Sequence, residues 1–129
     1  MSSIVLDASA ALAFILSEPG GNRVMSLLRA HEIPVLMSTV NWCEVLTRLQ
    51  RDSPIINPEK LSSMLPGVEV LPFSRAEADI AAELAKVSAA LSLGDRACLA
   101  LASSRKATAW TTDKQWARFK LNAKIEFLR

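Results

Sequence analysis

Ser3-Ile4-Val5-Leu6-Asp7-Ala8-Ser9-Ala10-Ala11-Leu12-Ala13-Phe14-Ile15-Leu16 sets a short apolar run, an acid and a longer apolar stretch in immediate succession. Ser3 to Leu6 is too short for a helix and reads as a buried strand ending at Asp7. Ser9 to Glu18 reads as an apolar helix, stopped by Pro19-Gly20-Gly21. A strand apolar at every position that passes straight into a helix is how a parallel, doubly covered sheet begins.

The same alternation continues outward. A second helix is expected from Asn22 to His31, a strand from Pro34 to Met37, and a third helix from Val40 to Arg51 after the cap signal Ser38-Thr39. Asp52-Ser53-Pro54 breaks that helix. Asn57-Pro58 starts a short one to about Leu65, and Pro66-Gly67 precedes a strand from Val68 to Leu71. Ile80, Leu84, Val87 and Leu91 recur at helical spacing, which predicts one long helix from Ser74 to Leu91. A helix from Leu93 to Lys106, a strand from Thr108 to Thr111, a short helix from Lys114 to Phe119 and a strand from Ile125 to Leu128 complete the series. The predicted class is α/β: one domain over residues 1–129, an α/β/α sandwich with a central parallel sheet of about five short strands.

The chain has 129 residues, half of them hydrophobic and 22% charged, which excludes a disordered or collagen-like chain. No apolar stretch approaches the roughly 20 residues of a membrane span, and Asp7 precedes any Lys or Arg, so no membrane association and a cytoplasmic location are expected. Cys43 and Cys98 lie in apolar helical patterns without a C-x-x-C partner and read as reduced core residues. Residues 1–95 carry 7 Lys/Arg against 11 Asp/Glu, residues 96–129 carry 8 against 2, and the basic final quarter suits a polyanion.

In parallel sheets, ligands bind beyond the carboxyl ends of the strands, where the order of connection reverses. Asp7 and Asp113 each follow a strand, so they are expected as neighbours. Each acid also has an ordinary reading: Asp7 and Asp113 as helix caps, Ser92-x-x-Asp95 as a capping box, and Glu44 as the ion-pair partner of Arg48 one helical turn on. Helical stepping places Asp95 above Cys98, Leu99 and Ala102, at the head of the stripe that faces the sheet, and Glu44 at the margin of its helix's apolar arc of Trp42, Cys43, Val45, Leu46 and Leu49. His31 reads as a surface residue, Glu77, Asp79 and Glu83 as a solvated face, and Trp42 and Trp110 as core; Trp116 is left open.

Taken together, Val5-Leu6-Asp7-Ala8-Ser9-Ala10, Val40-Asn41-Trp42-Cys43-Glu44-Val45-Leu46, Leu91-Ser92-Leu93-Gly94-Asp95-Arg96-Ala97-Cys98-Leu99-Ala100-Leu101-Ala102 and Thr111-Thr112-Asp113 resemble the PIN-domain ribonuclease family. The likeness runs over nearly the whole chain and favours the VapC-type toxins of type II toxin–antitoxin systems. It implies that Asp7, Glu44, Asp95 and Asp113 are the acidic site positions, with Ser9 and Thr112 as flanking hydroxyls. It also implies endonucleolytic hydrolysis of RNA, transfer RNA or another structured RNA by analogy, together with a cognate antitoxin and a homodimer; DNA would be met only through the antitoxin.

An oxygen-only ligand set favours Mg2+, with Mn2+ as a substitute. Asp7, Asp95 and Asp113 are the expected metal ligands, and Glu44 either ligates or orients the attacking water. Water as nucleophile predicts 5′-phosphate and 3′-OH ends. Arg96 and Lys114, with Arg105 and Lys106, are candidates for RNA phosphates. A phosphatase or receiver domain is disfavoured because Asp7 has no second acid two positions on and no acid follows the Pro34 to Met37 strand. The alternative is a catalytically silent PIN-like binding module.

Overall fold

The computed structural model describes residues 2–129. In chain order the elements are β1 (Ile4–Leu6), α1 (Ala8–Ile15), α2 (Gly21–Ala30), β2 (Val35–Ser38), α3 (Thr39–Asp52), α4 (Pro58–Met64), β3 (Val68–Leu71), α5 (Arg75–Leu84), α6 (Leu93–Arg105), β4 (Thr108–Thr111), a 3₁₀ turn (Lys114–Arg118) and β5 (Lys124–Phe127). The five strands of the described residues form one sheet in the order β3-β2-β1-β4-β5, and every pair is parallel. The α/β sandwich and its five short strands are as expected.

Alternation along each strand divides the core into two layers. Ile4, Leu6, Val35 and Met37 face Ala10 and Ala11 of α1, Val24 and Leu28 of α2, Val45 and Leu49 of α3 and Leu61 of α4. Val5, Leu36 and Ala109 face the other way, against Cys98, Leu99, Leu101 and Ala102 of α6 and the fully buried Trp116. The order of connection reverses between the central strand β1 and its neighbour β4. The carboxyl ends of these two strands are therefore the place where the topology opens a crevice.

Several expectations are corrected. The helix predicted to reach Leu91 ends at Leu84, and the chain turns through residues 85–91, where the Ala90 N–H donates to Ser88 Oγ at 3.0 Å. Leu91 is buried all the same, while Val87 is exposed, so the helical spacing there is accidental. Cys43 is exposed and only Cys98 belongs to the core. Glu77 is buried rather than solvated, folded back onto Ser74, the cap of α5: its N–H donates to Ser74 Oγ at 3.2 Å, and the Ser74 hydroxyl donates back to Oε2 at 3.0 Å. Trp42 and Trp110 are half-buried against the first layer. His31 is exposed at the end of α2. No helix of the described residues is long and apolar enough to cross a membrane.

Candidate acidic site

Asp7 is held at the carboxyl end of β1 by three donors. The Ala10 N–H donates to Oδ1 at 2.8 Å, capping α1, and the Ser9 hydroxyl donates to the same oxygen at 2.7 Å. The Thr111 hydroxyl, at the end of β4, donates to Oδ2 at 2.6 Å. A hydroxyl has one proton. With both given to Asp7, the Ser9 and Thr111 oxygens, 3.3 Å apart, touch without a further bond between them. Each oxygen instead accepts from the next segment: Ser9 Oγ from the Thr112 N–H and Thr111 Oγ1 from the Asp113 N–H, both at 3.0 Å. The hydroxyls thus stitch the turn after β4 to the turn after β1. Burial drives the Asp7 carboxyl up to about 6; the hydroxyl and amide bonds pull it down, and the charge of Asp95 adds to the rise.

Asp95 lies in the first turn of α6. Its Oδ2 accepts from the Ser92 N–H at 3.0 Å while its own N–H donates to Ser92 Oγ at 3.1 Å, a complete capping box. The capping and functional readings of this residue therefore coexist. Burial again raises its carboxyl above the usual range, opposed by the Ser92 bonds; Asp113 pushes it further up and Arg96 pulls it down. Asp113 caps the 3₁₀ turn, its Oδ1 accepting from the Gln115 N–H at 3.0 Å. Asp7 and Asp113 thus cap the elements that follow them, and Asp95 sits in the first turn of α6 behind its cap Ser92.

Glu44 reaches the group from α3. The buried Asn41, one turn earlier, donates from Nδ2 to Glu44 Oε1 at 2.9 Å and to the Gly94 carbonyl at 3.0 Å, tying α3 to the start of α6. A methyl group on Gly94 would collide with the Glu44 carboxylate, so only glycine admits this approach. Asn41 Oδ1 is buried with no partner among the described residues. Beneath the group lies the Cys98 thiol, pushed well up by burial and then by Asp7, Asp95 and Glu44 together. Three acids from three elements thus act on one buried atom.

Asp7 feels the charge of Asp95 and Asp95 that of Asp113, while Glu44 is linked to them through the Cys98 thiol; no group of three or more His, Cys, Asp or Glu of the described residues stands close enough to hold a metal ion. Convergence within a few ångströms, expected from the sequence, is looser in the structure, because the cap bonds of Asp7, Asp95 and Asp113 and the Asn41 bond of Glu44 hold each carboxylate to its own element. The donor chemistry still fits a hard cation, since every group facing the crevice offers oxygen.

The remaining candidates differ in placement. Arg96 donates to the Ala81 and Leu91 carbonyls at 3.0 and 3.3 Å, bracing α6 against α5 rather than facing the crevice. Lys114 is exposed next to Asp113, and Thr112 is half-buried with its amide bound to Ser9. Thr111, Asn41 and Gly94 were not singled out by sequence reasoning. Asn41 left a signal, a polar residue where the α3 arc faces inward; Thr111 left only its inward phase on β4.

The comparisons with known proteins agree with this fold. The sequence model of the family described as "PIN domain" matches residues 4–121. No curated protein matches the chain. A toxin–antitoxin complex from Klebsiella pneumoniae superposes with TM-score 0.77 at 16% identity, covering 98% of each chain. VapBC2 from Rickettsia felis, bound to a DNA fragment from its promoter, gives 0.73 at 18% identity over 96% of this chain and 97% of that one. VapC20 of Mycobacterium tuberculosis, a toxin that cleaves the sarcin–ricin loop, gives 0.66 at 19% identity over 90% and 94%.

Proposed function

The chain belongs to the PIN-domain family, and from that premise we propose that it is a metal-dependent endoribonuclease acting as the toxin of a toxin–antitoxin pair. The observation that carries this reading is the placement of Asp7 and Asp95 at the topological switch point, where the charge of Asp95 acts on Asp7 and that of Asp113 on Asp95, while burial, the larger cause, raises both carboxyls above their usual range. A divalent cation would offset the cost of holding charge that is so poorly solvated. Asp7, Asp95 and Asp113 would hold Mg2+, or Mn2+ in its place, with Glu44 as a fourth ligand or as the group that orients water. When bound, the cation supplies Lewis acidity and a water of lowered pKa.

The chain's own groups supply the rest. Ser9 and Thr111 fix the Asp7 carboxylate, Asn41 fixes Glu44, and the open side of the crevice beside Thr112 and Lys114 admits the phosphodiester. Hydrolysis by water leaves 5′-phosphate and 3′-OH ends. Structured RNA, transfer RNA among it, is the substrate class we favour, by analogy with the sarcin–ricin-loop-cleaving VapC20. The toxin–antitoxin complexes among the structural neighbours support a cognate antitoxin as partner; DNA met only through it and a homodimer as the working unit are carried over from the family resemblance.

Incubation of antitoxin-free protein with total RNA, with and without Mg2+, followed by mapping of the cleaved ends, tests the reading. Mg2+-dependent cuts bearing 5′-phosphates are expected, lost in Asp95→Asn. Cyclic phosphates, or cleavage in EDTA, would overturn the mechanism. The open spacing of the acids favours one second reading, a PIN-like binding module without catalysis, which predicts RNA retention and no cut ends.

A further inference from the structure

β4 and β5 are adjacent and parallel, so residues 112–123 must carry the chain back along the full length of the sheet, from the edge where the acids gather to the opposite one. This return segment is amphipathic in an unusual way. Trp116, Phe119 and Leu121 turn inward onto the second core layer, while Lys114, Arg118, Lys120 and, at its end, Lys124 are exposed. No acid occurs between Asp113 and Glu126. None of these four cations forms an ion pair among the described residues, in contrast to Arg23, Arg48, Arg75, Lys86 and Arg129.

At the far edge the segment meets the exposed Arg105 and Lys106, which end α6. Lys106 and Lys124 line one open cleft of about 270 Å³ with Ser103 and Asn122. Lys120 lines the adjoining cleft, which shares Ser103, Asn122 and Ala123; the carboxylate there, Glu83, is paired with Lys86. A favourable helix dipole accounts for Arg105 and Lys106, but not for Lys120 and Lys124 placed opposite them.

We propose that this basic strap is a backbone track for RNA, leading from the acidic site at Asp113 to the opposite edge of the sheet. The proposal rests on the endoribonuclease reading and adds where the substrate strand runs. A polyanion fits the strap better than a protein does. Of the exposed large apolar residues, Leu16, Ile55 and Leu93 line neither strap cleft, and Val87 alone borders the one that Lys120 lines. Protein interfaces centre on apolar anchors and are depleted in lysine, whereas phosphate contacts need only unpaired cations.

The test measures binding of a graded series of single-stranded RNA lengths to Asp95→Asn protein in Mg2+, across salt concentrations, with and without Lys120→Glu/Lys124→Glu. Loss of two phosphate contacts lowers the slope of log K against log salt by about 1.4 and weakens long RNA roughly twentyfold near 0.1 M salt. The shortest RNA is affected least. Arg29→Glu/Lys60→Glu, an equal charge change on the other layer's helices, retains the wild-type slope. The neutral pair Lys120→Gln/Lys124→Gln, with melting curves, separates lost contacts from misfolding. An unchanged slope in both strap variants, an equal loss in the control, or tighter capture of polyglutamate than of RNA overturns the track, the last in favour of an acidic protein partner. Failure of intact-strap protein to bind any RNA, together with no cleavage by wild type, overturns the endoribonuclease reading itself.

Discussion

Replacing Asp7 by asparagine is expected to make the metal-free protein more stable at neutral pH. The folded carboxyl titrates near 6 against 3.8 when unfolded, a difference worth about 3 kcal/mol at 1.36 kcal/mol per unit. Because the folded value is the higher one, the folded state holds an extra proton between the two. The stability this lends is whole below 3.8 and is lost as pH rises through about 6. The amide introduced by Asp7→Asn would resemble the protonated acid at every pH. Its oxygen keeps the Ala10 and Ser9 donors, and its nitrogen faces Thr111 Oγ1, whose proton must then turn toward Ser9 Oγ, 3.3 Å away. That rearrangement makes about 3 kcal/mol a ceiling, and a gain on the order of 10 °C in Tm is its upper limit for a domain of this size. Melting curves in EDTA from about pH 4 to 8 check it: the two proteins converge at the acid end and diverge as the Asp7 carboxyl ionises. A variant less stable than wild type in mild alkali, or a gap independent of pH, would refute the claim that burial of the charge dominates.

Three further outcomes follow from the site. Thr111→Val removes the hydroxyl that serves both Asp7 and the Asp113 amide; a loss of about 1–3 kcal/mol is expected in denaturant melts, with the Asp7 inflection moving to higher pH and Thr111→Ser restoring both. Gly94→Ala meets only the far end of the Glu44 side chain, so stability should change by less than about 1 kcal/mol, helix propensity offsetting the displacement, while RNA cleavage falls sharply; equal losses in both would show that the approach is merely packing. A thiol reagent should label Cys43 in the native protein and Cys98 only after denaturation; native labelling of both would contradict the buried floor beneath the acids.

β1 and β2 were legible as short apolar runs, a pattern parallel sheets impose, and β3, β4 and β5, which carry Glu, Thr or Lys among their apolar residues, from their short length between turn and cap residues. The positions of Asp7 and Asp113 followed from strand ends alone. Where the reading overran, at residues 85–91, alanine-rich chain satisfied a helical period that the Ser88 turn and the Ser92 cap override. An arc drawn through the apolar residues of α3 puts Cys43 inside; the buried arc instead runs through Asn41, Val45 and Leu49. A polar group had taken an apolar position to hold Glu44. Such local disagreement between pattern and burial is expected at functional sites; the polar Asn41 hinted at it, and the coordinates show what it holds. The spacing of the carboxylates was equally illegible, since cap bonds set it and sequence spacing does not.

The bond from Thr111 to Asp7 joins residues 104 positions apart. A chain emerging from the ribosome therefore holds its first acid by the neighbouring Ser9 and Ala10 alone until β4 has also emerged. If the proposed activity is directed at the cell's own RNA, the site comes together only after that whole span has left the machinery that made it.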